Sequence, residues 1–245
     1  PRRFDFKLAG VQKELACLYF NTQQYSKSDD MYDAAIEKYK LLEKTDEGKY
    51  LKDIAFCLYY KANSKIHQEK ETEAIAVLEE VVPLYKKIYE NGLFYSSYVE
   101  ALNLLISLYD DKESMVTVVE QNISQILEFH KNDSEFSKES ISEFLLNASL
   151  YYMFTKEYVE VEKIIKEILP NADSTYHWIF LIQIAVLLLQ GRYSEAETIY
   201  KEYKSEYKEY QSEFNDALFV FFDECEEYLE ISQELKKEIE HIKNL

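Results

Sequence analysis

The sequence predicts an all-α protein, an α-solenoid of helical hairpins, and three observations predict it. The 245 residues include only 4 Gly and 3 Pro, which leaves little material for β-hairpin turns, phosphate-cradling loops or the crossovers of a mixed fold. Apolar residues recur with helical period almost everywhere along the chain. Short polar clusters break that period about every 40 residues, the length of one helical hairpin.

The units follow in order. In the first, residues 5–44, Leu8, Val11, Leu15, Leu18 and Tyr19 keep the spacing that lines apolar groups along one helix stripe. Thr45 to Gly48 then mixes turn formers with capping residues, as one helix ends and the next begins. The second unit, 48–91, carries Ala62, Ala74, Leu78, Val81 and Val82, with Pro83 predicted to kink a long second helix. Asn91 and Gly92 close it. The third, 93–131, keeps Leu102, Leu105, Ile106, Tyr109 and Val118 and stops at Lys131 to Ser134. The fourth, 135–171, ends at Pro170 to Ser174, where Pro170 should close a helix. The fifth is 174–211. From 212 to 245, Phe214, Leu218, Phe221, Phe222, Cys225, Leu229, Leu235, Ile239 and Ile242 continue a helical stripe into a charged end. This segment reads as a cap, because the last unit of a stacked array must cover its apolar face with something polar.

Three units agree at equal offsets: Ala16, Tyr19, Tyr25, Tyr32 and Ala35 with Ile36 in the first, Tyr152, Tyr158, Val161, Ile165 and Ile168 with Leu169 in the fourth, and Gly191, Tyr193, Ala196 and Tyr200 in the fifth. Small residues let antiparallel helices approach closely, and aromatics fill the wedge between hairpins. This pattern resembles the tetratricopeptide repeat. The resemblance implies a right-handed superhelix of about five hairpins plus a C-terminal cap, one continuous domain over 1–245.

Charge and cysteine content narrow the function. Lys+Arg 28 against Asp+Glu 46 gives −18, a field that repels nucleic acid and anionic lipid and draws in basic proteins or peptides. The same carboxylates also keep an aromatic surface dissolved. Cys17, Cys57 and Cys225 lie far apart without metal-ligand spacing and read as buried free thiols, which suits a reducing, cytoplasmic setting. No apolar run reaches the ~20 residues that span a bilayer, so a soluble chain without membrane insertion is expected. The chain opens on Pro1 rather than Met, so a removed leader and a detached N-terminal domain both stay open.

Catalysis is not expected. No phosphate-binding, zinc-protease, calcium-loop or nucleophile-elbow motif is present. His67, His130, His177 and His241 are scattered near helix ends, and Glu79-Glu80, Asp110-Asp111 and Glu226-Glu227 are adjacent pairs that do not face one another. No cofactor or metal is implied.

The resemblance places ligand-binding residues on the first helix of each unit. By register that face holds Lys13, Cys17, Phe20 and Asn21, then Phe56, Tyr59, Asn63 and His67, then Glu100, Asn103 and Ser107, then Glu143, Leu146, Asn147 and Leu150, and finally Trp178, Leu181 and Ile182. The residues expected to hold a ligand are Asn21, Tyr59, Asn63, Asn103, Asn147, Leu150, Trp178 and Leu181. An asparagine amide both donates to and accepts from a peptide backbone, so an amide in each of four units suits an extended peptide. The expected function is a protein- or peptide-binding scaffold, possible partners being basic. Two alternatives stay open: the repeat domain of a peptide-sensing regulator, and an acidic immunity or antitoxin-type protein that neutralises a basic partner.

Overall fold

The computed structural model describes residues 2–89, 95–132, 138–169, 177–206, 220, 222 and 231–245. Among them the chain is all helical, with no strand, and its helices succeed one another as α1 (Arg2–Asn21), α2 (Tyr25–Glu43), α3 (Leu51–Ile66), α4 (Glu71–Tyr89), α5 (Tyr95–Leu108), α6 (Lys112–Asn132), α7 (Lys138–Phe154), α8 (Tyr158–Ile168), α9 (His177–Leu189), α10 (Tyr193–Glu206) and α11 (Gln233–Lys243). The chain forms two compact units, Pro1–Val118 and Val119–Leu245, and the boundary falls within α6.

Four of the hairpins share one turn. Gln23, Glu69, Lys156 and Gly191 have φ of 59°, 59°, 63° and 73°, the left-handed conformation that ends helices. In each case the next amide reaches back five residues to a helix carbonyl: Gln24 N to Tyr19 O at 2.8 Å, Lys70 N to Lys65 O at 3.0 Å, Glu157 N to Tyr152 O at 2.7 Å and Arg192 N to Leu187 O at 2.8 Å. This is the Schellman pattern, which satisfies carbonyls that a helix end leaves open. The following helix starts at once, with Ser28 N donating to Gln24 O, Ala74 N to Lys70 O and Ala196 N to Arg192 O.

A fully buried pair twelve residues apart recurs just as regularly. Ala16 and Ser28, twelve residues apart, are fully buried, and the Ser28 hydroxyl donates to the Ala16 carbonyl at 2.9 Å. Ala62 with Ala74, Ser149 with Val161 and Ile184 with Ala196 occupy the same two positions and are also at 0% exposure. Turn and crossing therefore repeat together, which makes the chain helical-repeat-like.

In the first unit the core is rich in tyrosine: Tyr32, Tyr39 and Tyr98 are buried beside Leu78, Leu102 and Ala55. Polar bonds tie its helices. Lys65 on α3 reaches Asp29 on α2 at 3.0 Å and Glu73 on α4 at 2.7 Å, and Gln68 donates to Asp29 at 2.9 Å. Pro83 sits inside α4, which runs on to Tyr89, so the expected long second helix is present. In the second unit Phe144, Tyr152, Tyr200 and Tyr203 are buried together with Ile164, Ile165, Ile168, Ile179, Ile182, Ile184 and Leu188. Ser232 caps α11 by accepting from Leu235 N at 3.0 Å, and Leu235, Ile239 and Ile242 are buried. Most of 212–230, Pro170 and the breaks at Asn91-Gly92 and Asp133-Ser134 lie outside the described residues.

Two readings of the sequence need correction. The apolar stripe of α1 is not its buried face, since Val11 and Leu18 are 62% and 57% exposed while Ala9 and Ala16 are at 0%. Hydrophobic spacing marks a stripe but not which surface covers it. Of the thiols, Cys57 is buried but Cys17 is only half-buried, and Cys225 lies outside the described residues.

Candidate functional site

In the first unit the register of α1 and α3 brings aromatic side chains together. Phe20 closes the last turn of α1 and meets Tyr25 at 5.7 Å, Tyr60 at 5.9 Å and His67 at 5.6 Å, each edge to face. His67 stacks flat on Tyr25, with centroids 5.0 Å apart and planes 9° from parallel. Tyr60 continues the row to Phe56 at 4.5 Å and Tyr59 at 5.6 Å, and Tyr59 meets Tyr85 at 6.3 Å. Phe20, Tyr25, Phe56, Tyr59 and Tyr60 are half-buried and His67 is exposed, so the rings form a shelf in partial contact with solvent.

Charges frame one end of this shelf. Lys13 Nζ lies 5.4 Å from the Phe56 ring and 2.6 Å from Asp53 Oδ1. Burial works most strongly against the Lys13 charge, but the hydrogen bond to Asp53 and the charges of Asp53 and Glu14 together outweigh it, and the ammonium is held above its ordinary range. Beneath the shelf, Tyr32 donates to Cys17 Sγ at 3.4 Å, and burial followed by that bond pushes the phenol up beyond the ordinary range. Burial likewise pushes the Cys57 thiol up to about 12, which makes it a poor nucleophile.

The expected ligand residues fall into different settings. Asn21 is exposed at the end of α1, next to Phe20. Asn63 is half-buried, and its Nδ2 donates to the Tyr59 carbonyl at 2.9 Å, so one of its donors serves its own helix. Tyr59 belongs to the shelf. Asn103 is only 4% exposed and packs in the core rather than standing on a surface. Its place in a regular amide row had suggested an open face, but spacing does not separate an amide on a surface from one covered by the next helix.

In the second unit α7 and α9 pack together. Trp178 is half-buried, and its Nε1 donates to Ser142 Oγ at 2.6 Å. Leu150 and Asn147 on α7 and Leu181 on α9 are also half-buried, whereas Ile182, expected on the same face, is at 0% exposure. A cleft of about 460 Å³ lies between α8 and α9, lined by Val159, Ile165, Leu169, Val186 and Leu187, with Gln183 and Arg192 at its polar side.

Tyr60 is the shelf residue that sequence reasoning missed. It follows Phe56 by one helical turn and so shares its face, a signal that was present but assigned to the neighbouring Tyr59. Among the described residues no group of three or more His, Cys, Asp or Glu is placed to hold a metal ion. No described helix is long and apolar enough to cross a membrane. No protein-family model matches the chain, and no curated protein matches it either.

Proposed function

We propose that the chain is a tetratricopeptide-type solenoid that binds a segment of another protein, with the aromatic shelf of Phe20, Phe56, Tyr59 and Tyr60 as its main contact. The observation that carries this reading is the shelf itself: six rings linked across α1, α2 and α3, none of them fully buried. Rigid aromatic area costs little side-chain entropy on binding, which is why Tyr and Trp recur at protein contacts. The asparagines at its margin, Asn21 and Asn63, add amides that bond a peptide backbone.

A net charge of −18 favours a basic segment. Arg and Lys side chains also gain from lying over Tyr and Phe faces, by ~1 kcal/mol each at a partly exposed site. Trp178 with Leu181, and Asn147 with Leu150, provide further contact area in the second unit. The reading makes the chain a non-catalytic scaffold, without a cofactor or nucleic-acid ligand of its own.

The test is a peptide array in which extended basic segments are compared with acidic and neutral ones of equal length. The reading expects binding to favour the basic set, and Tyr60→Ala to weaken it about tenfold with the melting curve little changed. Equal binding of all sets, or a Tyr60→Ala protein that binds as well as the parent, rejects it.

A further inference from the structure

The exposed face of α1 has a symmetry of its own. Phe4, Val11 and Leu18 are 68%, 62% and 57% exposed, on the side of the helix opposite the buried Ala9 and Ala16. Lys7 and Glu14 stand between them on the same line, and both are exposed. They are two helical turns apart, about 10 Å along the axis, so they cannot pair with each other. Among the described residues neither takes part in an ion pair.

The line therefore reads apolar, basic, apolar, acidic, apolar about Val11, and such a line is its own complement when a second copy is laid against it head to tail. Val11 then meets Val11, Phe4 of one copy meets Leu18 of the other, and Lys7 of each meets Glu14 of the other. A two-fold axis makes the Phe4 to Leu18 and Lys7 to Glu14 contacts twice and the Val11 contact once, on the axis. Parallel pairing would set Lys7 against Lys7 and Glu14 against Glu14, which costs energy instead. Gly10, which carries no side chain, leaves a groove of about 690 Å³ open beside Val11, walled by Leu15 and Tyr39.

We propose that two copies of this chain associate through antiparallel α1 helices, with Val11 on the two-fold axis and Lys7 to Glu14 pairs on either side. The surface differs from the aromatic shelf, so the proposal is independent of the peptide-binding reading. A strip about 30 Å long and about 10 Å wide offers roughly 300 Å² per copy, well under the ~800 Å² of a standard interface. The dimer is accordingly weak and reversible.

Sedimentation equilibrium on the whole chain tests it, up to about 1 mM, the limit at which association is still meaningful. A concentration-dependent dimer is expected. K7E presents two acidic groups on the strip and E14K two basic ones, so each alone should weaken self-association about tenfold. An equimolar mixture of K7E and E14K should form a heterodimer, because every pairing is then attractive. Val11→Glu should abolish the dimer by placing two carboxylates on the axis, and circular dichroism on these surface variants checks that they stay folded. A protein monomeric at the highest concentration overturns the proposal. So does a dimer indifferent to K7E and E14K, or a mixture that associates no better than either variant alone.

Discussion

The two compact units use the same hairpin turn but hold their helices together with different chemistry. In the first, tyrosines fill the core and polar bonds cross between helices: Lys13 to Asp53, Lys61 to Asp33, Lys40 to Glu80, and Asp29 with Lys65 and Glu73. In the second, Phe144, Tyr152, Tyr200 and Tyr203 are buried among isoleucines and leucines, and the links between helices include Trp178 to Ser142 and Arg192 to Glu162. Directional bonds fix where each helix sits along its neighbour, whereas apolar packing rewards volume and tolerates small shifts. The shared turn sets which helices meet, and the core chemistry then decides how sensitive each unit is to charge.

High pH should separate the two units most strongly. Burial pushes the Cys57 thiol and the Tyr98 phenol up to about 12 each, and pushes Tyr32, Tyr39 and Tyr85 up further. Among the strongly shifted phenols described in the second unit is Tyr152, at about 12. A group whose ionisation is raised by folding gives full stability below its unfolded value and loses it as pH climbs toward the folded value. The unfolded values are 9.0 for the thiol and 10.0 for the phenols, so the losing window opens near 9 and extends past 11. At pH 11 the thiol and the four phenols should cost the first unit roughly 8 kcal/mol, and Tyr152 should cost the second ~1.4 kcal/mol. Trp178 is the only tryptophan and lies in the second unit, so its fluorescence reports there while circular dichroism follows the helices of both units. Coincident transitions in the two signals would break the comparison.

The next effect isolates the polar bonds. Asp29→Ala removes the carboxylate that Lys65 and Gln68 share and leaves the Lys65 ammonium, 13% exposed, paired with the solvent-facing Glu73. A loss of about 3 kcal/mol is expected in urea unfolding, since Asp29 accepts two charge-assisted hydrogen bonds, from Lys65 and Gln68, each worth ~1.5 kcal/mol. A loss below ~1 kcal/mol would mean that the first unit relies on packing as the second does.

Sharper still is a matched pair at the helix crossing. Ala196→Leu forces a larger side chain between α9 and α10 and should cost about 2 kcal/mol. Ser28→Ala at the equivalent place in the first unit removes only the bond to the Ala16 carbonyl and should cost about 1 kcal/mol. Thermal melts rank the two, and a reversed order would show that the Ser28 bond matters more than crossing distance.

Much of this fold was legible because repetition is. Tyr25, Tyr32, Val161, Ala196 and Tyr200 fall in one register in the sequence, and Tyr32, Val161, Ala196 and Tyr200 are all buried. What the sequence hides is which neighbour covers a face. Asn103 and Ile182 carry the same residue types and spacing as surface positions, yet adjacent helices bury them. The α1 stripe shows the converse, since Val11 and Leu18 have core spacing and nothing in the chain's described residues covers them. Ser28 was overlooked as the small residue of the second helix because a hydroxyl there needs the Ala16 carbonyl in reach, and only three-dimensional proximity reveals that. The aromatic shelf was half visible: Phe20, Phe56 and Tyr59 were placed on the exposed face, but Tyr60 was lost to its neighbour.

The smallest effects test whether the four turns are equivalent. Glu69 and Gly191 occupy the same left-handed position, at φ 59° and 73°. A side chain there meets its own backbone at a cost of ~1 kcal/mol, which glycine avoids. Nothing lies within 4 Å of a Cβ built on Gly191, so Gly191→Ala tests backbone conformation rather than a clash, and it should destabilise by about 1 kcal/mol. Glu69→Gly should act in the opposite direction. Relief of the strained backbone is partly offset by the greater freedom glycine gives the unfolded chain, so a gain of about 0.5 kcal/mol is expected. Chemical denaturation with a common slope resolves changes of this size when both variants are measured beside the parent. Opposite signs would establish that one turn geometry serves both units despite their different cores. A shift of the same sign in both would show that the turn at Glu69 is held by its surroundings instead, and that the polar first unit dictates its own turn.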